Sequence, residues 1–121
     1  MGGVYGTIDS RDDFFRMLDE ARDICRRILT KQPRNRVIES IDTQLDAMWR
    51  WTQNGREPAQ SERESIKVGL LAVRELDEGR QDESGELARK LICLNNYFDD
   101  WPTDEEAASA TDADYFKKFG L

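Results

Sequence analysis

The sequence contains no histidine among its 121 residues. Histidine is the most common general base at neutral pH, and most serine and cysteine nucleophiles depend on it. Its absence excludes Ser-His and Cys-His catalytic pairs and leaves no Cys/His cluster for zinc. A phosphate-binding glycine loop and a dinucleotide fingerprint are also missing. We therefore expect a protein with no catalytic residues, no metal site and no cofactor.

Long apolar runs are missing as well. No segment approaches the roughly 18 consecutive apolar residues of a membrane-spanning helix. Residues 1–9 lack the basic start and apolar stretch of a signal peptide, and their glycines are typical of a disordered terminus. The only cysteines, Cys25 and Cys93, each fall within an apolar helical stripe, which favours buried reduced thiols over a disulfide. These features predict a cytoplasmic protein with no membrane partner.

Positive charge is scarce in the C-terminal part of the chain. The formal net charge is -7, but residues 1–36 contain eight Lys/Arg and six Asp/Glu, whereas residues 75–121 contain five and thirteen. An acidic surface of this kind repels nucleic acid and anionic membranes and attracts basic surfaces on other proteins. The alternative interpretation is that the acidity only keeps the protein soluble.

Apolar residues recur with the helical period in four segments, and no segment alternates as a β-strand does. The predicted helices lie between the Ser10 cap and Pro33, from about Arg36 to Gln53, from a Ser61–Glu64 capping box to Gly79, and from about Ser84 to Asp99. Short connections favour antiparallel neighbours. The sequence thus predicts an all-α fold, a small antiparallel helical bundle over residues 10–101. An acidic tail, residues 102–121, follows it, in which Thr103–Glu106 is a candidate cap for a short fifth helix. The tail docks on the bundle if Tyr115, Phe116 and Phe119 provide apolar anchors.

The third predicted helix has the widest apolar surface. Ile66, Leu70 and Val73 share one face with Gly69 and Leu76, and Val68, Leu71 and Ala72 occupy most of the remainder. Such a surface predicts a central, largely buried helix. Glycine within a helix costs about 1 kcal/mol relative to alanine, so Gly69 indicates the close approach of a neighbouring helix.

Acidic residues cluster where this helix ends, and they are the first candidates for binding a partner. They are Glu75, Asp77, Glu78, Asp82, Glu83 and Glu86. A catalytic carboxylate pair needs an apolar cleft that keeps one acid neutral, whereas a loop this charged is expected to be solvated. Asp77 has two interpretations, a helix end in water or a carboxylate presented to a basic pocket on a partner.

Aromatic residues supply the remaining candidates. Trp49 and Trp51 flank opposite edges of the second helix's core face, so at least one of them is expected to be partly exposed. Tryptophan suits both a core and an interface. Phe98 is predicted to lie in the core, with Tyr97 and Trp101 at its rim. We take Trp51 and Tyr97 as the aromatic partner-binding candidates.

One stretch suggests a relative. The run Val68-Gly69-Leu70-Leu71-Ala72-Val73-Arg74-Glu75-Leu76-Asp77, preceded by Gln44-Leu45 and Met48 and followed by Glu86-Leu87-Ala88 and Leu91, resembles the small all-helical immunity proteins of bacterial type VI secretion. In particular, it resembles the group that neutralises NAD(P)+ glycohydrolase effectors. The resemblance covers roughly residues 38–97.

The resemblance implies a stoichiometric inhibitor that binds a cognate toxin domain and blocks its NAD-binding cleft. By position, Glu75 and Asp77 are the residues it implies for toxin binding, although Glu75 has the alternative of an intramolecular ion pair. Two other function classes stay open. One is a helical adaptor or regulatory subunit that binds a basic cytoplasmic protein, and the other, least favoured, is an enzyme. Self-association is compatible with either binding role.

Overall fold

A computed structural model describes residues 8, 10–77 and 79–101. Every regular element within these ranges is helical, so the predicted all-α bundle is confirmed. The helices are α1 (Arg11–Lys31), α2 (Arg36–Arg50), α3 (Gln60–Ser65), α4 (Val68–Glu75) and α5 (Glu83–Asp99). A 3-10 turn, Gln53–Gly55, follows α2. The tail with its predicted fifth helix, and residues 1–7, lie outside the described residues.

The first two helices begin where they were predicted to begin, although α2 ends at Arg50, three residues before the predicted Gln53. The Ser10 hydroxyl accepts a hydrogen bond from the Asp13 amide at 3.1 Å and caps α1. The Asn35 side chain caps α2 by accepting from the Ile38 amide at 3.1 Å. After α2, Asn54 and Gly55 have φ angles of 58° and 77°, the left-handed backbone expected of an Asn-Gly pair. This turn reverses the chain toward α3.

The core is one apolar cluster between α1, α2, α4 and α5. The predicted stripes of α1, α2 and α5 all point into it, which is why these helices form where the period indicates. Its fully buried members include Phe14, Leu18, Ala21, Cys25, Ile41, Leu45, Met48, Val68, Ala72, Leu87, Leu91, Leu94 and Phe98. Because α5 packs against both α1 and α4, it is central in the fold.

The third predicted helix is wrong in its extent and in its burial. Ile66 is extended and buried, so the segment breaks into α3 and α4, and α4 ends at Glu75 rather than at Gly79. The core receives Val68 and Ala72, while the predicted core residues Leu70 and Val73 are 51% and 63% exposed. This segment has two apolar stripes that could be buried, one with Leu70 and Val73 and the other with Val68 and Ala72. The break at Ile66 turns the stripe with Val68 and Ala72 toward the core.

Side chains from two other helices stabilise the break. The Lys67 amide donates to Gln44 Oε1 at 2.6 Å, and the Gly69 amide donates to Asn95 Oδ1 at 2.8 Å. They satisfy backbone donors that a new helix start leaves unpaired. A Cβ at Gly69 would lie 3.0 Å from the Asn95 Cβ. The predicted close approach at Gly69 is confirmed, with α5 as the neighbour.

Two smaller predictions also need correction. Helix α3 begins at Gln60 instead of at a Ser61 cap, because the Glu62 carboxylate accepts from the Ala59 amide at 2.8 Å and sets the helix start there. Trp101 was expected at the rim but is only 8% exposed. Its ring meets Phe14 edge-on at 5.1 Å, so the indole fills the end of the core.

Candidate partner-binding surface

The acidic cluster borders an open groove at one end of the bundle. This groove has a volume of about 640 Å³ and lies between the end of α1, the end of α4 and the start of α5. Its lining residues are Ile28, Lys31, Gln32, Asn35, Arg74, Glu75, Leu76, Asp77, Arg80, Asp82, Glu83 and Ser84. Four of the predicted partner-binding acids therefore meet at one place, which we call the groove end.

Asp82 and Glu83 already have partners within the chain. Asp82 caps α5 by accepting from the Gly85 amide at 3.2 Å, and its second oxygen lies 2.6 Å from Arg80 Nη2. Glu83 Oε2 accepts from Arg27 Nε at 2.6 Å. These hydrogen bonds lower the pKa of both carboxylates below their ordinary values. Both charges consequently stabilise the bundle and are partly compensated before any partner arrives.

Glu75 and Asp77 differ from these two acids. Both side chains are exposed, and neither forms an ion pair with any residue that the structure describes. Asp77 Oδ1 accepts a hydrogen bond from the Gly79 amide at 2.9 Å, which orients the carboxylate at the groove edge. An exposed carboxylate with spare acceptor capacity can bind arginine or lysine from another molecule. These two residues are the acids best placed for that role.

Glu86 and Glu78 are the two remaining acidic candidates, and Glu86 does not line the groove. Glu86 is on the next turn of α5, where Lys90 Nζ lies 3.7 Å from its carboxylate. Glu78 falls outside the described residues. The groove itself contains three cations, Lys31, Arg74 and Arg80, beside its four described acids. Its local charge is therefore more balanced than the sequence composition suggests.

Trp51 and Tyr97 are not at the groove end. Tyr97 stacks on Phe14 with ring centroids 5.3 Å apart, and burial raises the pKa of its hydroxyl. It is fourteen residues after Glu83 on α5, which is roughly 21 Å along the helix at about 1.5 Å per residue. Trp51 is half-buried against the core just after α2. The structure thus places four of the seven described candidates at the groove end and sets Glu86, Trp51 and Tyr97 apart from it.

Sequence reasoning missed the exposed apolar residues of α4. Leu70 and Val73 are three residues apart on the outer side of this helix and form one patch. Their apolar character suggested core, and only the break at Ile66 shows that they face outward. Gly69 indicated in the sequence that another helix packs closely on this side of α4. The sequence does not show that this helix is α5, which contributes Asn95, so the outward side of α4 could not be assigned.

Trp49 is the third large exposed apolar residue in the described ranges, at 38%. The prediction that one of the two neighbouring tryptophans is partly exposed is confirmed, and Trp49 is the more exposed of the pair. The Arg22 guanidinium lies 5.4 Å from its ring centroid, and Arg22 also contacts Asp46 at 3.4 Å. One face of this indole is therefore already covered by the chain's own cation.

The described residues contain no group of three or more His, Cys, Asp or Glu side chains arranged to hold a metal ion. No helix among them has the length and apolar character needed to cross a membrane. Both cysteines are free thiols, and burial raises the pKa of Cys25 to about 12. Such a thiol is unreactive at neutral pH.

A protein-family model matches most of this chain. The model of the Tsi6 family, a type VI secretion immunity protein family, matches residues 14–100. The matched range includes almost all of α1 and the whole of helices α2 to α5. No curated protein and no solved structure matches the chain.

Proposed function

This chain belongs to the Tsi6 family of type VI secretion immunity proteins, and from that premise we propose that it inhibits an NAD(P)+ glycohydrolase toxin by covering the toxin's active-site cleft. Family membership implies a cognate toxin as the binding partner. The proposal adds the toxin's chemistry, the occlusion of its cleft and the surface that performs it. That surface is the groove end, with Glu75 and Asp77 as its charged contacts.

One observation carries the proposed surface. Among the described acids of the cluster, Glu75 and Asp77 are the exposed ones without an ion pair. A cleft that binds a dinucleotide must satisfy two phosphates, and it does so with basic side chains and exposed N–H donors. Carboxylates placed over such a cleft compete for the same donors. An acidic connection whose Asp77 carboxylate is oriented by the Gly79 amide therefore suits a cleft of this chemistry.

The geometry also favours inhibition by covering over inhibition by insertion. Helix α4 ends at Glu75, and Leu76 turns the backbone to an extended conformation, so the two carboxylates project from a short connection between packed helices. This end is broad, since three helices contribute to it. A surface formed by several helices suits an inhibitor that covers the mouth of a cleft, since interfaces of tight inhibitors typically bury about 800 Å² per partner.

The proposal is tested by reversing these two charges. The variant Glu75→Lys/Asp77→Lys is expected to bind the toxin encoded beside this chain at least about 30-fold more weakly, as loss of central charged contacts commonly does. NAD+ hydrolysis by the toxin would no longer be inhibited by an equimolar amount of this variant. Affinity is measured by biolayer interferometry, and hydrolysis by the appearance of free nicotinamide.

A matched control separates a local contact from a general charge effect. Asp19→Lys/Glu64→Lys changes the net charge equally at two exposed acids away from the groove. It is expected to slow association modestly and to leave the dissociation rate unchanged. Equal weakening by both variants would refute the proposed surface. A toxin that binds the protein tightly but releases no nicotinamide would refute the proposed toxin chemistry.

A further inference from the structure

Helix α4 carries an apolar patch that the charged contacts do not use. Leu70 and Val73 are 51% and 63% exposed, while Val68 and Ala72 on the opposite side are fully buried. Single exposed apolar residues are ordinary in soluble proteins. Two of them three residues apart on one helix are neighbours and form a continuous patch. The patch lies on the same short helix whose end supplies Glu75.

The patch is held rigidly. Helix α4 packs on α5, and its first turn is fixed by the Lys67 amide bonded to Gln44 and the Gly69 amide bonded to Asn95. Groups that are already ordered lose little conformational entropy when a partner binds. An exposed apolar pair on a fixed helix is therefore suited to be a binding anchor.

Two cations border the patch on one side. Lys67 precedes Leu70 by three residues and Arg74 follows it by four, so both share its face of the helix. Both are exposed, and neither forms an ion pair with a residue in the described ranges. The patch thus combines an apolar centre with an uncompensated positive edge, while the two unpaired acids lie beyond the helix end.

The exposed tryptophan is a weaker candidate for an anchor. Trp49 has the Arg22 guanidinium over its ring, and Arg22 is itself held by Asp46. Its ring already has a partner within the chain, whereas no described residue covers the outer side of Leu70 and Val73. This difference selects the α4 patch.

We propose that Leu70 and Val73 are the apolar anchor of the toxin complex and insert into an apolar recess on the toxin that is bordered by acidic side chains facing Lys67 and Arg74. The inference rests on the proposed function, because it names the surface of the same toxin. Charge complementarity fixes the orientation. The positive edge of α4 meets acids beside the recess, and Glu75 and Asp77 meet basic groups at the cleft.

The variant Leu70→Ala/Val73→Ala tests the anchor. Alanine has the highest helix propensity, and both side chains point outward, so the fold is expected to remain intact. We expect toxin affinity to fall at least about 30-fold, mainly through faster dissociation, as for truncated anchor residues. Lys67→Glu/Arg74→Glu is expected to weaken binding also. Trp49→Ala is the matched exposed apolar control and should leave toxin affinity unchanged.

The outcomes are distinguishable. If the unaltered protein binds the toxin and the alanine variant binds equally well, the anchor is refuted and the proposed function stands. If the unaltered protein does not bind the toxin at all, the proposed function falls and the anchor with it. If sedimentation shows a dimer that the alanine variant dissociates, at unchanged toxin affinity, the patch joins two copies of this chain and the inference is overturned.

Discussion

The two ends of the bundle are built from different kinds of side chain. At one end, Phe14, Tyr97, Phe98 and Trp101 stack and meet edge-on with ring centroids 5.1 to 6.4 Å apart. At the groove end, charged side chains from α1, α4 and α5 line an open depression. The aromatic end packs its rings against one another, whereas at the groove end Glu75 and Asp77 form no ion pair with any described residue. Under the proposed function, the residues that contact the toxin therefore lie at the opposite end of the bundle from its aromatic core.

The largest effect is expected from truncating the centre of the aromatic end. Phe14 is fully buried and contacts Tyr97, Phe98 and Trp101. Phe14→Ala should lower the free energy of unfolding by about 3–5 kcal/mol, since it removes apolar burial and leaves a cavity. Urea unfolding followed by circular dichroism measures this loss.

Its matched control is the neighbouring phenylalanine. Phe15 is only partly buried, so Phe15→Ala should destabilise the protein less. The folded fraction of the Phe14 variant should still bind the toxin, because the groove end lies about 20 Å away along the bundle. If the folded Phe14→Ala protein lost toxin affinity, the aromatic end would take part in toxin binding, which contradicts the proposed assignment of binding to the groove end.

A smaller effect is expected from pH, and it has opposite signs at the two ends. Asp82 and Glu83 have a lowered pKa in the fold, so their stabilisation is present above about pH 5 and is lost as the pH falls through the lowered values. Tyr97 has a raised pKa, so its contribution is present below about pH 10 and is lost as the pH rises beyond that value.

Melting temperatures between pH 2 and pH 11 check these signs. Glu83→Gln should make the acid limb of the profile shallower and leave the alkaline limb unchanged. Tyr97→Phe should do the reverse. If Glu83→Gln left the acid limb as steep as in the unaltered protein, the Arg27–Glu83 pair would not contribute to stability at the groove end.

Much of the fold was predictable because three helices are long and have one apolar stripe. Phe14, Leu18 and Cys25 on α1, or Leu87, Leu91 and Leu94 on α5, permit only one buried face. The eight-residue α4 has two possible stripes. Its orientation depends on Gln44 and Asn95, which are 23 and 26 residues away in sequence from the amides they bind. Such contacts leave no local pattern.

The candidate site was predictable in composition but not in detail. The clustering of acidic residues from the end of α4 onward can be read directly from the sequence, as can their total charge. Which acids are paired depends on tertiary contacts, as with Arg27, which is 56 residues from Glu83. The exposure of Leu70 and Val73 follows from the same kind of contact. Distant partners therefore decide which residues remain available for a toxin.

Amide hydrogen exchange with and without the toxin domain tests the central claim most directly. The account predicts slower exchange for peptides spanning residues 67–83 when the toxin is bound, and unchanged exchange for peptides spanning residues 49–56 and 93–101. Slower exchange at the aromatic end, with residues 67–83 unaffected, would contradict it.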